Sequence, residues 1–244
     1  MVRKHRNDEP CDKNIISVTS ENVDEEEFEH NYVHQIYKNI ATHFSHTRYG
    51  CWGNVVKVIE SVRPSSVILD VGCGNGKYLS TRTDCYFIGV DICSELLHLA
   101  REKHVNSNFS LVISNALKLP FKDNFANLTL AIAIIHHLST TQRRLEVIRE
   151  LIRCTRTGGI ILIYLWSFEQ DASYVGYREF RSQDVLVPWN LQQKYSPTKD
   201  LHFKRYYHLF NRDEVDHICQ HFDKLVNSTV YTDCNNYVIQ MLKI

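Results

Sequence analysis

A loop with three glycines at alternate positions most constrains what this chain can fold into. The loop, Gly72-Cys73-Gly74-Asn75-Gly76, follows the apolar run 67–71, which contains Asp70, and precedes a longer segment compatible with a helix. This order predicts a buried parallel strand, a tight turn and a helix. Glycine permits positive φ and lets a ligand approach the backbone, so the loop predicts a binding site at the carboxyl ends of the strands.

The spacing of the glycines and a second acidic residue indicate what kind of ligand would bind. A dinucleotide fingerprint reads G-x-G-x-x-G, whereas this loop reads G-x-G-x-G. Asp91 ends the next apolar run, where its carboxylate can accept hydrogen bonds from both hydroxyls of a ribose. The two features predict a ligand with a ribose but no pyrophosphate. A tight turn without any ligand is the less favoured interpretation.

Composition limits the class of protein. The chain has 244 residues, of which 43% are hydrophobic and 23% charged, as is typical of a globular protein. Lysine plus arginine and aspartate plus glutamate both number 28, so nucleic acid would have to bind a local basic patch. The 8 cysteines form no C-x-x-C pair, so we expect reduced thiols and no metal site. Since no apolar run could span a bilayer, we expect no membrane contact and a cytoplasmic location, with a nuclear one also open.

Alternating strand and helix patterns predict an α/β fold with a doubly wound parallel sheet. Residues 1–27 are polar and predict a flexible tail, and residues 28–244 form the predicted domain. Residues 167–206 lack a clear period and predict a functional insertion on the substrate side. We expect strands at 67–71, 86–91, 109–113, 127–135, 160–166, 225–232 and 236–243, and helices from Phe28 to Phe44, at 53–63, from a Ser94 cap through Ala100, at 140–155 and at 212–222.

Four segments together point to one family. They are F-S-H-T-R-Y-x-x-W at 44–52, D-V-G-C-G-N-G-K-Y-L at 70–79, I-H-H-L-S-T-x-x-R-R at 135–144, and Q-D-V-L-V-P-W at 183–189 with R-Y-Y-H-L-F at 205–210. This combination resembles the tRNA methyltransferases that esterify 5-carboxymethyluridine at the anticodon wobble position. It also resembles the methyltransferase domain of the AlkB-homologue fusion protein and its stand-alone paralogues. The resemblance covers nearly everything from Phe28 to Ile244.

The resemblance implies a Rossmann-like, seven-stranded methyltransferase sheet with an antiparallel last strand. It also implies S-adenosylmethionine as cofactor, tRNA as substrate and a small zinc-binding activator subunit as partner. The sheet edge at 109–113 is the candidate surface for that activator. The implied nucleophile is a carboxylate, which is already ionised at neutral pH because its ordinary pKa is near ~4, so the reaction needs no general base. Holding the reactants in line can supply roughly 7–11 kcal/mol.

Three sets of candidate site residues follow from the resemblance and from side-chain chemistry. For methyl transfer they are His136, Arg48 and Trp52. Asn115 stands where the family usually has an acidic residue, and its amide oxygen can accept from the adenine amino group. The cofactor set is Tyr37, Asp70, Gly72, Cys73, Gly74, Asn75, Gly76, Asp91, Ile92, Asn115, Ala116 and Ala131. Because arginine forks suit a carboxylate and aromatic rings suit RNA bases, the substrate set is Arg178, Arg181, Asp184, Trp189, Arg205, Tyr207 and His208.

Two other functions stay open. A small-molecule methyltransferase of the same fold would be favoured if residues 167–206 formed a closed apolar lid. A catalytically silent adaptor would keep the fold but not bind the cofactor. Asn115 and Asn127 support the adaptor, whereas the intact Asp70, glycine loop and Asp91 argue against it.

Overall fold

The computed structural model describes residues 15–18, 24–47, 50–104, 108–174, 177–190 and 202–244. The strands of these ranges form one sheet of seven and one of three. The strands are β1 (Ile16–Ser17), β2 (Val67–Val71), β3 (Tyr86–Asp91), β4 (Phe109–Ile113), β5 (Ala126–Ile132), β6 (Thr155–Trp166), β7 (Asp184–Asn190), β8 (His202–His208), β9 (Val226–Asp233) and β10 (Asn236–Lys243). The α-helices are α1 (Glu25–Glu29), α2 (Gln35–Thr47), α3 (Gly53–Ser61), α4 (Ser94–Lys103), α5 (Thr141–Cys154) and α6 (Arg212–His221).

The larger sheet confirms the predicted fold class. Its spatial order is β4-β3-β2-β5-β6-β10-β9, and β2 to β6 pair in parallel. The last strand, β10, is antiparallel to both of its neighbours, as expected. Apolar side chains of α5 and α6 pack on one face and those of α3 on the other, so the sheet is doubly wound. In the described ranges, no helix has both the length and the apolar content to cross a bilayer.

The segment predicted to be an irregular insertion contains regular structure. Strands β7 and β8 pair antiparallel, with Asp184 opposite His208, and β1 adds to the free side of β7. The prediction of a flexible tail over 1–27 is therefore wrong at its described stretches. Ile15 and Val18 flank β1 and pack against the small sheet, which holds this part of the chain in place.

The acidic run 24–27 is also not part of a solvated tail, because it begins a helix. The Asp24 side chain accepts from the backbone N–H of Glu27 at 2.9 Å and caps α1. A π-helical turn, His30–His34, joins α1 to α2. Buried Glu29 binds the Arg143 guanidinium at 2.7 Å and the Ser139 hydroxyl at 2.9 Å. These contacts anchor the N-terminal helical segment to the loop before α5 and to the first turn of α5.

Three local predictions differ from the structure. The segment after the glycine loop forms consecutive turns over 74–80 rather than a helix. The strand predicted at 127–135 ends at Ile132, because Ala133 adopts a left-handed conformation with φ +62° and a 3₁₀ turn, Ile135–His137, follows. Cys93, not Ser94, is the N-cap residue of α4. His136 therefore lies on a helical turn, separated from the end of the strand by the left-handed residue.

Candidate active site

A cavity of about 640 Å³ lies at the carboxyl ends of β2, β3 and β5, between the large sheet, α2 and the small sheet. This is where open α/β sheets bind ligands, as the glycine loop predicts. The cavity has two chemically different ends. One end is built from the glycine loop and two carboxylates, and we call it the donor end. The other is built around Arg205 and aromatic rings, and we call it the acceptor end.

The glycine loop forms the wall of the donor end. Gly72 has φ +73°, and a Cβ there would lie 2.0 Å from Cγ2 of Ile134, so only glycine fits. Gly74 has φ +53°, and a Cβ there would meet nothing nearer than Phe44 at 3.9 Å. The backbone N–H of Gly74 donates to Asp91 Oδ2 at 2.9 Å, and that of Cys93 donates to Asp91 Oδ1 at 2.9 Å. Asp91 thus fixes the loop, and each of its oxygens keeps a lone pair for a ligand.

Asp70 is the most unusual group of the donor end. Its side chain is only 2% exposed, and its Oδ2 has no hydrogen-bond partner in the described part of the chain. Burial, with a contribution from the negative charge of Asp91, raises the pKa of Asp70 to about 7. A buried carboxylate without a partner is costly, so the position is suited to a ligand that carries a positive charge.

Most of the other predicted cofactor residues also line the cavity, but two do not. A Cβ on Gly76 would meet Leu79 at 2.9 Å and Ala100 at 3.0 Å, so this glycine permits packing beneath the loop. Ala131 is completely buried, and Ile132 and Ala133 line the cavity instead. The residues of the predicted set that do line it are Tyr37, Asp70, Gly72, Cys73, Gly74, Asn75, Asp91, Ile92, Asn115 and Ala116.

Arg205 defines the acceptor end. Its side chain is 3% exposed, and its guanidinium lies 4.4 Å from the Trp189 ring centroid and 5.2 Å from that of Tyr207. Its Nη1 donates to the Tyr37 hydroxyl at 3.2 Å, and its Nε has no hydrogen-bond partner among the described residues. Within those ranges, no carboxylate forms an ion pair with Arg205. A buried guanidinium without a counter-ion favours binding of an anionic ligand.

Two histidines, His136 and His137, line the cavity beside Tyr207 of the acceptor end. The His136 ring lies 5.0 Å from the Tyr207 ring, and its buried Nδ1 has no hydrogen-bond partner in the described part of the chain. The His137 ring lies 4.6 Å from that of Tyr207. Burial lowers the pKa of His136 well below its usual range and lowers that of His137 to about 3. Both rings are therefore neutral at physiological pH.

The other two residues predicted for methyl transfer have different outcomes. Trp52 lines the cavity and packs on Tyr164, with ring centroids 4.9 Å apart. The Lys77 ammonium lies 5.7 Å from the Trp52 ring centroid. Arg48 lies outside the described residues, so its predicted role stays a prediction.

The predicted substrate residues divide into two groups. Arg178, Arg205 and Tyr207 line the cavity, whereas Arg181 is exposed outside it. Asp184 and His208 lie in a separate polar network, where His208 contacts Asp184 at 2.9 Å and Glu214 at 3.0 Å. This network connects the small sheet to α6. Trp189 packs against Arg205 and donates to His43 at 3.0 Å, so it supports the cavity wall without lining it.

Several cavity residues were absent from the predicted site. Among them are His34 on the π-helical turn, Trp166 at the end of β6, and Asn235 in the β9–β10 turn. The end of a parallel strand is a signal that could have identified Trp166. His34 and Asn235 reach the cavity only through tertiary packing, and no local motif marks them.

The sheet order, the glycine loop and the two carboxylates define an α/β methyltransferase that uses S-adenosylmethionine. The profile of the family described as "Methyltransferase domain" matches residues 69–163. A SAM-dependent methyltransferase from Methanosarcina mazei superposes with a TM-score of 0.59 at 18% identity, covering 77% of this chain and 97% of that one. A chain of the complex between the Haloferax volcanii Trm112 methyltransferase activator and a methyltransferase gives 0.61 at 11% identity, covering 86% and 97%. Likeness at these identities concerns the fold alone.

Sequence relatives identify the family. The tRNA (carboxymethyluridine(34)-5-O)-methyltransferase of Schizosaccharomyces pombe is 40% identical over 208 residues, which are 80% of this chain and 89% of the relative. The enzyme of the same name from Saccharomyces cerevisiae is 43% identical over 71% of this chain and 61% of its own length. That of Xenopus tropicalis is 30% identical over 88% of this chain but 41% of its own length. The chain belongs to the tRNA (carboxymethyluridine(34)-5-O)-methyltransferase family.

Proposed function

We propose that this chain transfers a methyl group from S-adenosylmethionine to the carboxylate of 5-carboxymethyluridine at the wobble position of tRNA. One observation carries the proposal. In the described part of the chain, one cavity has a buried carboxylate with an unpartnered oxygen, Asp70 Oδ2, at one end and a buried guanidinium without a carboxylate partner, Arg205, at the other. The first matches a cationic methyl donor and the second matches an anionic methyl acceptor.

The residues of the donor end fit S-adenosylmethionine. The unpaired oxygen of Asp70 suits the positively charged methionine part, and the free lone pairs of Asp91 suit the ribose hydroxyls. The open space above Gly74 lets a ligand approach the backbone. When bound, the cofactor supplies a methyl group on a positively charged sulfur. We assign Asn115 and Ala116, which also line the cavity, to the adenine.

The acceptor end suits a nucleophile that needs no deprotonation. A carboxylate is ionised at neutral pH, and the two neutral histidines add no positive charge that would compete with Arg205 for it. Arg205 binds and orients the carboxylate, while Tyr207 and Trp166 form apolar walls that exclude water. The catalytic contribution of these residues is positioning in a site of low polarity.

An RNA substrate is favoured over a small apolar one by the part of the cavity that the described residues of 166–207 contribute. This part consists of arginine, amide and aromatic side chains rather than an apolar lid: Arg178, Gln170, Arg205, Tyr207 and Trp166. Arginine and aromatic rings are the side chains that hold single-stranded RNA bases. The predicted cytoplasmic location, with a nuclear one also open, stays part of this proposal.

We further propose that a small zinc-binding activator covers the open edge of the large sheet. Strand β4 is that edge, and its side chains are partly exposed along its whole length, with Ile113 66% exposed. Ile92, beside it at the end of β3, is 40% exposed. An unpaired edge with apolar side chains can accept another strand. The Haloferax complex is a precedent for such a partner on this fold.

The proposal is tested with the chain co-expressed with a Trm112-type activator. The complex is incubated with S-adenosylmethionine and tRNA that carries 5-carboxymethyluridine, and the digested RNA is analysed by mass spectrometry. We expect a methyl ester at the wobble nucleoside, and none on matched tRNA with unmodified uridine there. No ester with cofactor binding confirmed by calorimetry would indicate another acceptor, and absence of both would indicate the adaptor. An Ile113→Asp variant that still co-purifies with the activator would contradict the β4 surface.

A further inference from the structure

The contacts of Arg205 lead to an inference about two other residues, and it depends on the function proposed above. We infer that Tyr37 and His137 form a one-way hydrogen-bond relay that holds the Arg205 guanidinium in the orientation needed for a carboxylate. In this assignment His137 is a positioning residue. Tyr37, predicted to contact the cofactor, serves the acceptor end instead.

The direction of the relay follows from its first contact. His137 Nδ1 lies 2.8 Å from the main-chain carbonyl oxygen of Tyr206. A carbonyl oxygen only accepts, so Nδ1 carries the hydrogen of the ring. Because the ring is neutral, its other nitrogen, Nε2, is an acceptor.

The next two contacts continue in the same direction. The Tyr37 hydroxyl lies 2.9 Å from His137 Nε2 and must donate its hydrogen to it. The oxygen of that hydroxyl is then the acceptor for Arg205 Nη1 at 3.2 Å. The hydrogen bonds of the relay therefore run in one direction, from the guanidinium to the Tyr206 carbonyl. The Tyr207 hydroxyl also interacts with both Tyr37 and Arg205. The relay starts at Arg205 and ends at Tyr206, both on β8. It passes through Tyr37 on α2 and His137 on the 3₁₀ turn.

The relay occupies Nη1 of Arg205 and leaves Nε available for a carboxylate. A guanidinium binds a carboxylate with two parallel N–H groups, and the Nε–Nη2 edge provides such a pair. Tyr37 binds Nη1, and Nε has no partner among the described residues. Rings on three sides, those of Trp189, Tyr207 and Tyr37, lie between 4.4 and 5.7 Å from the guanidinium carbon. The relay and these rings fix the plane of the guanidinium before the substrate arrives.

The consequence is selectivity for a carboxylate over a neutral group of the same shape. The amide of 5-carbamoylmethyluridine has one acceptor oxygen and one donor nitrogen, so its donor would oppose an N–H of the fixed fork. A guanidinium free to rotate would discriminate less well. Tyr37 and His137 therefore determine specificity without contacting the reacting atoms.

The test compares Tyr37→Phe and His137→Phe with Tyr32→Phe, a control on the same helical segment whose ring is exposed. The competitors are anticodon stem-loops with 5-carboxymethyluridine or 5-carbamoylmethyluridine at the wobble position, measured with the activator complex. We expect the carboxylate-to-amide binding ratio to fall about 10- to 100-fold in both relay variants, as for loss of a hydrogen bond to a charged group. His137→Gln, whose amide retains a donor and an acceptor, should restore part of the ratio.

The cofactor affinity and the melting temperature separate this effect from a folding defect. We expect the dissociation constant of S-adenosylmethionine to stay within about twofold in Tyr37→Phe, because the donor end is unchanged. An unchanged carboxylate-to-amide ratio in an active, folded variant would overturn the relay. A wild-type chain that methylates neither stem-loop would instead contradict the proposed function.

Discussion

The two ends of the cavity bury charges of opposite sign, and different contacts hold each charged group in place. At the donor end, Asp70 is held by the large sheet, and its Oδ2 has no hydrogen-bond partner among the described residues. At the acceptor end, Arg205 is surrounded by rings and bound through one nitrogen to a relay. Burial raises the pKa of the carboxyl into the physiological range, whereas an arginine stays charged. The donor end can therefore lose its charge when empty, and the acceptor end cannot.

Substitution of Asp70 should have the largest effect of all, and this effect should be on cofactor affinity at the donor end. In Asp70→Asn we expect S-adenosylmethionine affinity to fall about 100-fold or more, because the cation loses its buried counter-charge. Calorimetric titration measures this. Arg205→Lys serves as the control, since it leaves the donor end intact. Near-wild-type affinity in Asp70→Asn would remove Asp70 from the cofactor site.

The same variant should be more stable than the wild type when empty. The folded-state pKa of Asp70 is about 7, against 3.8 for an unperturbed carboxyl. Because the folded state binds the proton more tightly than the unfolded state, protonation of Asp70 stabilises the fold fully below pH 3.8. This stabilisation is lost as the pH rises through 7. We expect Asp70→Asn to gain up to about 4 kcal/mol in free energy of unfolding at pH 8 and little at pH 4, measured by urea unfolding. A gain that does not depend on pH would contradict this account.

Arg205→Lys should have the second-largest effect, confined to the acceptor end. Lysine keeps the charge but not the planar fork, so we expect kcat/KM for modified tRNA to fall about 10- to 100-fold. The cofactor dissociation constant should not change. Arg181→Lys is the matched control, because Arg181 is exposed outside the cavity and should stay within about twofold of the wild type. Equal losses in the two variants would argue against a special role for Arg205.

The pH dependence of cofactor binding sharpens the contrast between the ends. Binding of a cationic ligand requires the ionised form of Asp70, so affinity should fall as the pH drops below about 7. The fall should approach tenfold per pH unit. Calorimetry between pH 5.5 and 7.5 measures it, and Arg205→Lys should give the same profile. A flat profile would mean that Asp70 is ionised throughout that range in the empty protein.

The smallest effect should come from the contact that anchors the N-terminal helical segment. Glu29 is buried and binds both Arg143 and Ser139. We expect Glu29→Gln to lower the free energy of unfolding by about 2 kcal/mol. Because this segment carries Tyr37, KM for tRNA should rise more than the cofactor dissociation constant. Glu27→Gln, at an exposed position, is the control. Equal changes in KM for tRNA and in the cofactor dissociation constant of Glu29→Gln would show that the Glu29 contacts do not act specifically on the acceptor end.

The donor end was largely predictable from sequence, and the acceptor end was not. Asp70 and the glycine loop are adjacent in the chain, so a single local pattern marks them. Arg205 was one of four candidate arginines, and what distinguishes it is burial beside Tyr37, 168 residues away. Its neighbours depend on pairing of β7 with β8, in a segment without recognisable periodicity. Ala131 was chosen instead of Ala133 because the pattern of β5 does not reveal the left-handed residue that ends it.

The segment that carries the acceptor end enters and leaves the large sheet at one point. Ser167 and Phe210 form an isolated β-bridge. The backbone N–H of Phe168 donates to the Phe210 carbonyl oxygen at 2.8 Å, and the backbone N–H of Phe210 donates to the carbonyl oxygen of Trp166 at 2.9 Å. Because the two ends of this inserted segment lie side by side, the segment can change in length without altering the register of the strands in the large sheet. Evolution can therefore exchange the substrate-reading module of such a protein while it inherits the methyl-donor module unchanged. New acceptor chemistries would then arise by replacing one loop-like unit, together with the helix that supplies Tyr37.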